Sequence, residues 1–381
     1  MPRPDSPAER SPLYVPSAGA DEGPQLPRPP GTRTGRACTE SARSPRWTHD
    51  PSGRRTTSHP AIRTSIRTSI RTSIRTSIRT SIRTSGQPSS SQPSSRPKEP
   101  EEVSPENTWQ LRESWESPIG TLRWDRLGPQ DGPPVVLLHG TPFSSYVWHE
   151  IAPALAADGH RVHVWDMPGY GSSQKSDGQD VSLRAQGEVF AELLGVWGLS
   201  NPSVIAHDFG GCVALRAHLL HKAEYRRLAL VDPVALAPWG SPFFRLVAEH
   251  AAVFGQLPAP LHEALVREYV SSASHRGLLP GVLDELVAPW TDTSGQPAFY
   301  RQIAQADQRH TDEIQPLYPT LNLPVTVCWA TEDTWIPPAK GEELASLIPG
   351  ARLRPIPDAG HLVPLDAPAR LLGELIAFLR N

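Results

Sequence analysis

The sequence predicts an α/β fold with a doubly wound, mostly parallel sheet over residues 106–381. Two observations lead to this prediction. Short apolar segments typical of strands alternate with longer segments of helical periodicity. The run Val135–Leu138 is also continuously apolar, as in strands that are buried on both faces. An unusually long connection late in the chain predicts an inserted helical cap at about residues 235–315.

The N-terminal part of the chain has a different composition. Residues 1–105 are rich in Pro, Ser, Thr and Arg, and the tetrapeptide IRTS occurs six times in succession over residues 62–85. As strand or as helix, this pattern buries too little apolar surface to offset the entropy lost on ordering the chain. We therefore predict that residues 1–105 form a disordered, low-complexity tail.

Charge and cysteine content restrict the classes of function. Residues 1–105 carry 17 Lys and Arg against 9 Asp and Glu, whereas the remaining residues carry 20 against 31. An acidic domain argues against a nucleic-acid surface on the folded part. The three cysteines lack the spacing of a disulfide framework or a zinc site, and no apolar run is long enough to span a membrane. Without an N-terminal signal pattern, we expect a cytoplasmic protein.

The predicted strands follow one another along residues 106–381. In chain order they are Trp109–Glu116, Thr121–Arg126, Val135–Leu138, Arg161–Trp165, Ser203–His207, Arg227–Val231, Val325–Trp329 and Arg352–Ile356. Between them, helices are predicted up to Ala157 and at Leu183–Trp197, Gly210–His221 and Ala367–Leu379.

The predicted cap lies between Asp232 and Val325, which are separated by over 90 residues. Helical periodicity recurs there, around Phe244–Phe254, Leu261–Tyr269, Leu279–Val287 and Phe299–Ala306. An insertion at this place is expected to cover the carboxyl ends of the strands, where open α/β sheets bind their ligands.

The segment 203–211 carries the first candidate for chemistry. An apolar strand turns directly into a helix at Asp208, with the small residues Ala206 and Gly210 on either side. This pattern is typical of a nucleophile elbow, in which a strained turn leaves no room for larger neighbours. Asp208 stands where the pattern normally has serine and is the candidate nucleophile. The alternative is that Asp208 only caps the helix that follows.

Two later strand ends add an acid and a histidine. Asp333 follows the strand Val325–Trp329, and His361 follows the last strand. The order nucleophile, acid, histidine is that of α/β-hydrolases. Asp232, after an earlier strand, is the alternative acid, but Pro233 beside it favours a turn residue.

These segments together resemble a known family. Residues 107–381 resemble the α/β-hydrolase superfamily, specifically its epoxide hydrolase and haloalkane dehalogenase branch. The segments that carry the resemblance are HGTPFSSYVW (139–148), DMPGYGSS (166–173), HDFGG (207–211), TEDTWIP (331–337) and AGH (359–361). The resemblance implies an aspartate nucleophile acting without a cofactor or a metal.

The residue types then suggest a mechanism. A carboxylate suits displacement at a saturated carbon that bears a leaving group, such as an epoxide oxygen or a halide. Attack by Asp208 would give an ester between enzyme and substrate, and His361, oriented by Asp333, would activate the water that cleaves it. The backbone N–H groups of Phe209 and Thr141 are expected to hold the resulting oxyanion.

An epoxide oxygen requires a proton donor when it leaves. The resemblance implies that cap tyrosines supply it: Tyr300 matches the second cap tyrosine of epoxide hydrolases, and Tyr269 is a candidate for the first. The alternative interpretation of Tyr300 is an aromatic side chain of the core.

A halide instead requires side-chain N–H donors. Dehalogenases of the family carry Trp after the nucleophile and often Asn after His-Gly, whereas this sequence has Phe209 and Thr141 at those positions. Trp239 and Trp290 are the other indole donors to consider, although large apolar cap residues more often line or fill a cap.

We therefore expect a cofactor-independent hydrolase of the epoxide hydrolase type, acting on a small apolar substrate. Dehalogenation of a haloalkane or haloacid is the nearest alternative, and a non-catalytic, ligand-binding member of the fold is an alternative of another class. No metal, nucleic-acid partner or membrane span is expected, and substrate, stereochemistry and oligomeric state stay open.

Overall fold

The computed structural model describes residues 109–380, so the tail predicted over residues 1–105 lies outside the described residues. Within the described range, eight strands form one sheet in the order β1-β2-β4-β3-β5-β6-β7-β8. They are β1 Glu113–Ser117, β2 Gly120–Leu127, β3 Pro134–Leu138, β4 Arg161–Asp166, β5 Ser203–His207, β6 Arg227–Val231, β7 Val325–Ala330 and β8 Arg352–Ile356.

The sheet is mostly parallel, which confirms the predicted fold class. Strands β1 and β2 form an antiparallel hairpin at one edge, and β2 also pairs antiparallel with β4. All other pairs, from β4 across to β8, are parallel. The central strands β5, β6 and β7 are buried along their whole length, because helices cover both faces of a parallel sheet.

Helices alternate with these strands. They are α1 Ile151–Ala157, α2 Leu183–Val196, α3 Phe209–His221, α4 Pro242–Phe254, α5 Ala259–Ser271, α6 Pro280–Val287, α7 Gly295–Ala304, α8 Arg309–Asp312, α9 Ala339–Leu347, α10 Val363–Asp366 and α11 Pro368–Arg380. Three short 3₁₀ helices lie at Ser145–Trp148, Ala288–Trp290 and Gln315–Thr320. No helix in the described range is long and apolar enough to cross a membrane.

The segment between β6 and β7 holds α4 to α8, at the place predicted for the cap. Each of its longer helices buries one apolar side, through side chains such as Val247, Val266, Leu286 and Phe299. The amphipathic periodicity of the sequence reflects this burial.

Two predicted boundaries are wrong. Strand β1 begins at Glu113 rather than Trp109, because its ladder with β2 starts only at the pair Glu113 and Trp124. Trp109 instead donates its indole N–H to Ser145 Oγ at 3.0 Å. The helix predicted up to Ala157 is split, since a 3₁₀ turn at Ser145–Trp148 precedes α1.

Gly210 in the first turn of α3 allows this helix to approach the end of β3 closely. A Cβ atom built at Gly210 would lie 2.5 Å from His139 O and 2.8 Å from Leu138 Cβ. Both neighbours belong to the chain that leaves β3, so side-chain rotation cannot relieve the contact with the backbone oxygen. The residue at this position must therefore be glycine for α3 to start where it does.

We predict that Gly210→Ala lowers the free energy of unfolding by about 1–3 kcal/mol, the usual cost of overpacking a core. The matched control is Gly195→Ala in α2, where a built Cβ meets nothing within 4 Å among the described residues. That change should raise stability by about 0.5–1 kcal/mol through helix propensity. Urea unfolding of both variants checks the prediction, and equal effects would contradict it.

Candidate active site

Asp208 occupies the turn between β5 and α3 in a strained backbone conformation. Its φ is 51° and its ψ is −119°, and the residue is 3% exposed. The backbone is held from both sides, since Asp208 N donates to Val231 O at 3.1 Å and Asp208 O accepts from Gly211 N and Val234 N at 2.9 and 3.0 Å. Its side chain makes no capping hydrogen bond to α3. The helix-capping alternative is therefore wrong, and the carboxylate is turned to other partners.

The loop after β3 lies directly over this carboxylate. Thr141 N donates to Asp208 Oδ1 at 2.6 Å. A Cβ atom at Gly140 would overlap the Asp208 side chain, so only glycine permits the approach. Phe209, the other residue predicted for the oxyanion hole, is the first residue of α3, where backbone N–H groups lack a partner within the helix.

His139 fixes the start of this loop. Its Nδ1 donates to Gly140 O at 2.9 Å and its Nε2 accepts from Met167 N at 2.9 Å, which requires a neutral ring. Burial lowers the pKa of His139, in agreement with a neutral imidazole.

His361 lies between two carboxylates. Its Nδ1 is 2.8 Å from Asp333 Oδ2, and its Nε2 is 3.3 Å from Asp208 Oδ2, within ion-pair range but not aligned as a hydrogen bond. Asp333 is itself oriented, because its Oδ1 accepts from Trp335 N at 2.8 Å and Ile336 N at 2.9 Å. The structure thus brings together the three residues predicted from separate strand ends.

Asp232, the alternative acid, lies in a different environment from Asp333. Its Oδ1 accepts from Ala330 N at 2.8 Å, whereas Oδ2 has no hydrogen-bond partner among the described residues. Burial and the charge of Asp333 raise the pKa of Asp232 well above its usual range, which disfavours the charged form of this carboxyl. The partner of His361 Nδ1 is Asp333.

The charges of the three site residues depend on one another. Burial by itself lowers the pKa of His361, but Asp333 and Asp208 raise it well above its ordinary value. Burial by itself raises the pKa of Asp208, yet His361 and Thr141 N–H more than compensate and lower it. His361 therefore favours its protonated form and Asp208 its ionised form, each because of the charge of the other.

A pocket opens at Asp208 with a cavity volume of about 150 Å³. Its lining is mainly apolar and comes from both the sheet side and the cap, and includes Thr141, Phe209, Trp239, Phe244, Tyr269 and Trp335. Trp335 is stacked between Tyr269 and His361, with ring centroids 4.6 and 5.1 Å apart. An apolar wall on one side and a buried carboxylate on the other are typical of a small-molecule site.

The two candidate tyrosines have different environments. Tyr269 lines the pocket, and its hydroxyl has no hydrogen-bond partner in the described part of the chain. Burial, and then the charge of Asp208, raise the pKa of Tyr269 well above its usual value, which keeps the phenol protonated.

Tyr300, the other predicted donor, is not among the residues that line the pocket. Its hydroxyl is 2.8 Å from His262 Nδ1, and His262 Nε2 is 2.9 Å from Trp290 O. Because a carbonyl only accepts, Nε2 carries the proton of a neutral ring and Nδ1 accepts from Tyr300. Tyr300 is 2% exposed, which agrees with the alternative interpretation of this residue as an aromatic side chain of the core.

The indole N–H groups considered for halide binding are both engaged. Trp239 Nε1 donates to Thr311 Oγ1 at 2.8 Å, and Trp290 Nε1 donates to Pro142 O at 2.7 Å.

Two residues near the site were missed by sequence reasoning. Trp335 belongs to the TEDTWIP segment but shows its stacking on His361 only in the structure. Gln302 Oε1 lies 2.6 Å from Thr141 Oγ1 and 3.1 Å from Tyr170 Oη. A single Gln in an amphipathic helix is normally a surface residue, so nothing in the sequence distinguished Gln302.

A family model described as alpha/beta hydrolase fold matches residues 133–368 of the chain. Among solved structures, an alpha/beta hydrolase fold protein from Burkholderia ambifaria is 45% identical, with a TM-score of 0.68 over 71% of this chain and 98% of that one. A haloalkane dehalogenase from Psychrobacter cryohalolentis is 29% identical over 44% of this chain and 54% of its own length. A cis-3-alkyl-4-alkyloxetan-2-one decarboxylase from Xanthomonas campestris is 25% identical over 67% of this chain and 90% of its own length.

We predict that Asp208→Asn lowers the pKa of His361, since one of its two carboxylate neighbours loses its charge. Asp232→Asn is the matched control and should leave the titration near wild type, because burial and Asp333 already disfavour the charged form of Asp232. NMR titration of the His361 ring measures both. Equal shifts in the two variants would contradict the assigned charges.

The same pKa shift has a consequence for stability. The folded-state pKa of His361 lies above its ordinary value of 6.5. The attraction between the protonated ring and its neighbours Asp333 and Asp208 therefore contributes fully to the free energy of unfolding below that pH. It is lost as the pH rises through the folded-state pKa. Urea unfolding from pH 6 to alkaline pH should therefore show a steeper loss of stability for wild type than for Asp208→Asn, and parallel curves would refute this.

Proposed function

Because the chain belongs to the α/β-hydrolase fold family, we propose that it is a hydrolase in which Asp208 attacks a saturated carbon, and that its reaction is the opening of an epoxide to a diol. The observation that carries the proposal is the buried carboxylate at the strained turn, 3.3 Å from His361 Nε2. A carboxylate that attacked an ester would only exchange acyl groups, whereas attack on an epoxide carbon gives an ester that water can cleave.

The two oxygens of Asp208 have different roles in this proposal. Oδ1 is held by Thr141 N–H at 2.6 Å, so Oδ2 is the oxygen available to form the bond to substrate carbon. The C–O bond of the epoxide breaks, and its electron pair leaves as alkoxide. In the resulting ester, Oδ1 is the carbonyl oxygen and already has an oxyanion-hole donor.

His361 changes its role once the ester has formed. Esterification removes the negative charge of Asp208, so the pKa of His361 falls and the ring can return a proton to Tyr269, which has given its own proton to the alkoxide. The neutral ring, still held by Asp333, then takes a proton from water, which attacks Cγ of Asp208. The N–H groups of Thr141 and Phe209 stabilise the oxyanion at Oδ1. The Cγ–O bond to substrate then breaks, and the second proton of the attacking water passes to the leaving oxygen, which releases the diol and restores the Asp208 carboxylate.

Tyr269 is the proposed proton donor to the epoxide oxygen. It lines the same pocket as Asp208, and its hydroxyl is uncommitted among the described residues. Its raised pKa matches a group that stays protonated at neutral pH. Tyr300 supplies no such donor, because its hydroxyl is bound to His262.

Halide displacement is the second candidate, favoured by the relative named haloalkane dehalogenase. The residues of the pocket support halide displacement less well than they support epoxide opening. Phe209 has no side-chain N–H, and the indole N–H groups of Trp239 and Trp290 are bound to protein oxygens.

The pocket also suggests a substrate size. A cavity of about 150 Å³ lined by aromatic side chains is comparable to cavities that hold a benzene-sized molecule. We propose an epoxide whose substituent is apolar and no larger than a phenyl ring.

Turnover of a panel of such epoxides and of haloalkanes of the same size tests the proposal, with diol and free halide as the measured products. We expect diol from the epoxides and none with Asp208→Asn, which keeps the shape of the side chain but is a far weaker nucleophile. Halide release without diol would favour the second candidate. Binding of either class without any product would favour a non-catalytic protein.

Exchanging each cap tyrosine for phenylalanine tests the assigned donor. Tyr269→Phe should reduce the epoxide-opening rate by about 100-fold or more, the usual contribution of a general acid. Tyr300→Phe removes the same atom from a side chain bound to His262 and should leave the rate near wild type. Stopped-flow measurement of the first turnover compares them, and the reverse order of effects would exclude Tyr269 as donor.

A further inference from the structure

A buried amide from the cap contacts the loop that covers Asp208. Gln302 lies on α7 and is 1% exposed. Its Oε1 accepts from Thr141 Oγ1 at 2.6 Å and from Tyr170 Oη at 3.1 Å. The oxygen of one cap residue is thus bonded to residues that follow β3 and β4.

Thr141 connects this amide to the nucleophile. Its hydroxyl is bound to Gln302, while its backbone N–H is bound to Asp208 Oδ1 at 2.6 Å. Fixing the hydroxyl restricts rotation about the Cα–Cβ bond and anchors the Cα atom of Thr141, to which the donor nitrogen is attached. The direction of the N–H donor therefore depends on a side chain from the cap.

Other contacts hold the rest of the loop, and at the Thr141 hydroxyl the bond to Gln302 at 2.6 Å is much shorter than the contact with Tyr170 Oη at 3.5 Å. His139 binds Gly140 O and Met167 N on the sheet side. Trp290, also from the cap, binds Pro142 O at 2.7 Å.

The other half of the Gln302 amide supports a specific role. Its Nε2 is buried and has no hydrogen-bond partner among the residues that the structure describes. An unpaired buried donor is destabilising, and an apolar side chain of similar length would avoid that cost. The amide at this position does provide Oε1, which accepts the hydrogen bond from the Thr141 hydroxyl.

We propose that Gln302 is a positioning residue, which aligns the Thr141 peptide N–H with the carboxylate and, through it, with the oxyanion. The catalytic consequence rests on the proposed function, whereas the alignment itself does not. On this basis the cap does more than line the pocket: docking of α7 completes the oxyanion hole.

The test compares two glutamines of the same cap segment in the full-length protein. Gln302→Met keeps the length of the side chain and removes the acceptor. Gln305→Met is the matched control, because Gln305 also docks the cap, through Val181 N at 2.7 Å and Gln179 O at 3.0 Å, but does not contact the loop. Gln302→Glu keeps an acceptor oxygen and serves as the rescue variant.

The first readout is hydrogen–deuterium exchange of the Thr141 amide, followed by NMR on the ¹⁵N-labelled protein. Loss of alignment should speed its exchange about tenfold in Gln302→Met, the scale of one hydrogen bond. Exchange should stay near wild type in Gln305→Met and be restored in Gln302→Glu. Unchanged exchange in Gln302→Met, or equal changes in both Met variants, would overturn the proposal.

The second readout uses any epoxide that the wild type converts. Gln302→Met should lower kcat about tenfold and lower KM with it, so that kcat/KM stays near wild type, and mass spectrometry should show the enzyme ester accumulating, because the oxyanion forms only in the hydrolysis step. Equal accumulation of the enzyme ester in Gln305→Met would overturn the proposed effect of Gln302 on catalysis. If the wild type converts no epoxide, the proposed function fails, and amide exchange still decides the role of Gln302.

Discussion

The positive φ of 51° at Asp208 is the constraint on which the rest of the site depends. It turns the chain from β5 into α3 within one residue and directs the carboxylate toward the loop after β3. Such a conformation is unfavourable for a residue other than glycine and persists only where its surroundings hold it. Here the backbone of Asp208 is bonded to Val231, Gly211 and Val234, so strands β5 and β6 and the helix act together.

The close approach of neighbours follows from that turn. Gly140 and Gly210 have no side chain where the loop and the helix cross the turn. The space they leave lets Thr141 N–H reach Oδ1 of the carboxylate. The same compactness buries the carboxylates of Asp208 and Asp333 and the imidazole of His361, which strengthens the interactions between their charges.

Much of the fold and part of the site were predictable from sequence, for identifiable reasons. The parallel strands were found because burial on both faces leaves continuous apolar runs such as Val135–Leu138. Asp208, Asp333 and His361 were found because the carboxyl ends of parallel strands meet at one edge. That these three residues lie close together can be predicted without knowing the rotamers of their side chains.

The roles of the cap residues were not predictable in the same way. Tyr269 and Tyr300 both lie on amphipathic helices, and only the packing of α5 and α7 decides which phenol lines the pocket and which binds His262. Gln302 was missed for the same reason, since its partner Thr141 is 161 residues away in the chain. Sequence periodicity identifies the buried side of a helix but not the polar atom that each buried side chain meets.

The most direct test of Asp208 as nucleophile is a single turnover in water enriched with heavy oxygen, with enzyme in excess over an accepted epoxide. Because water attacks Cγ of the ester, the oxygen from water should appear in the carboxylate of Asp208, and the first diol formed should stay unlabelled. Mass spectrometry of the peptide that contains residue 208 and of the diol measures both. Heavy oxygen in the diol with none in Asp208 would mean direct attack of water on the substrate and would contradict the assignment.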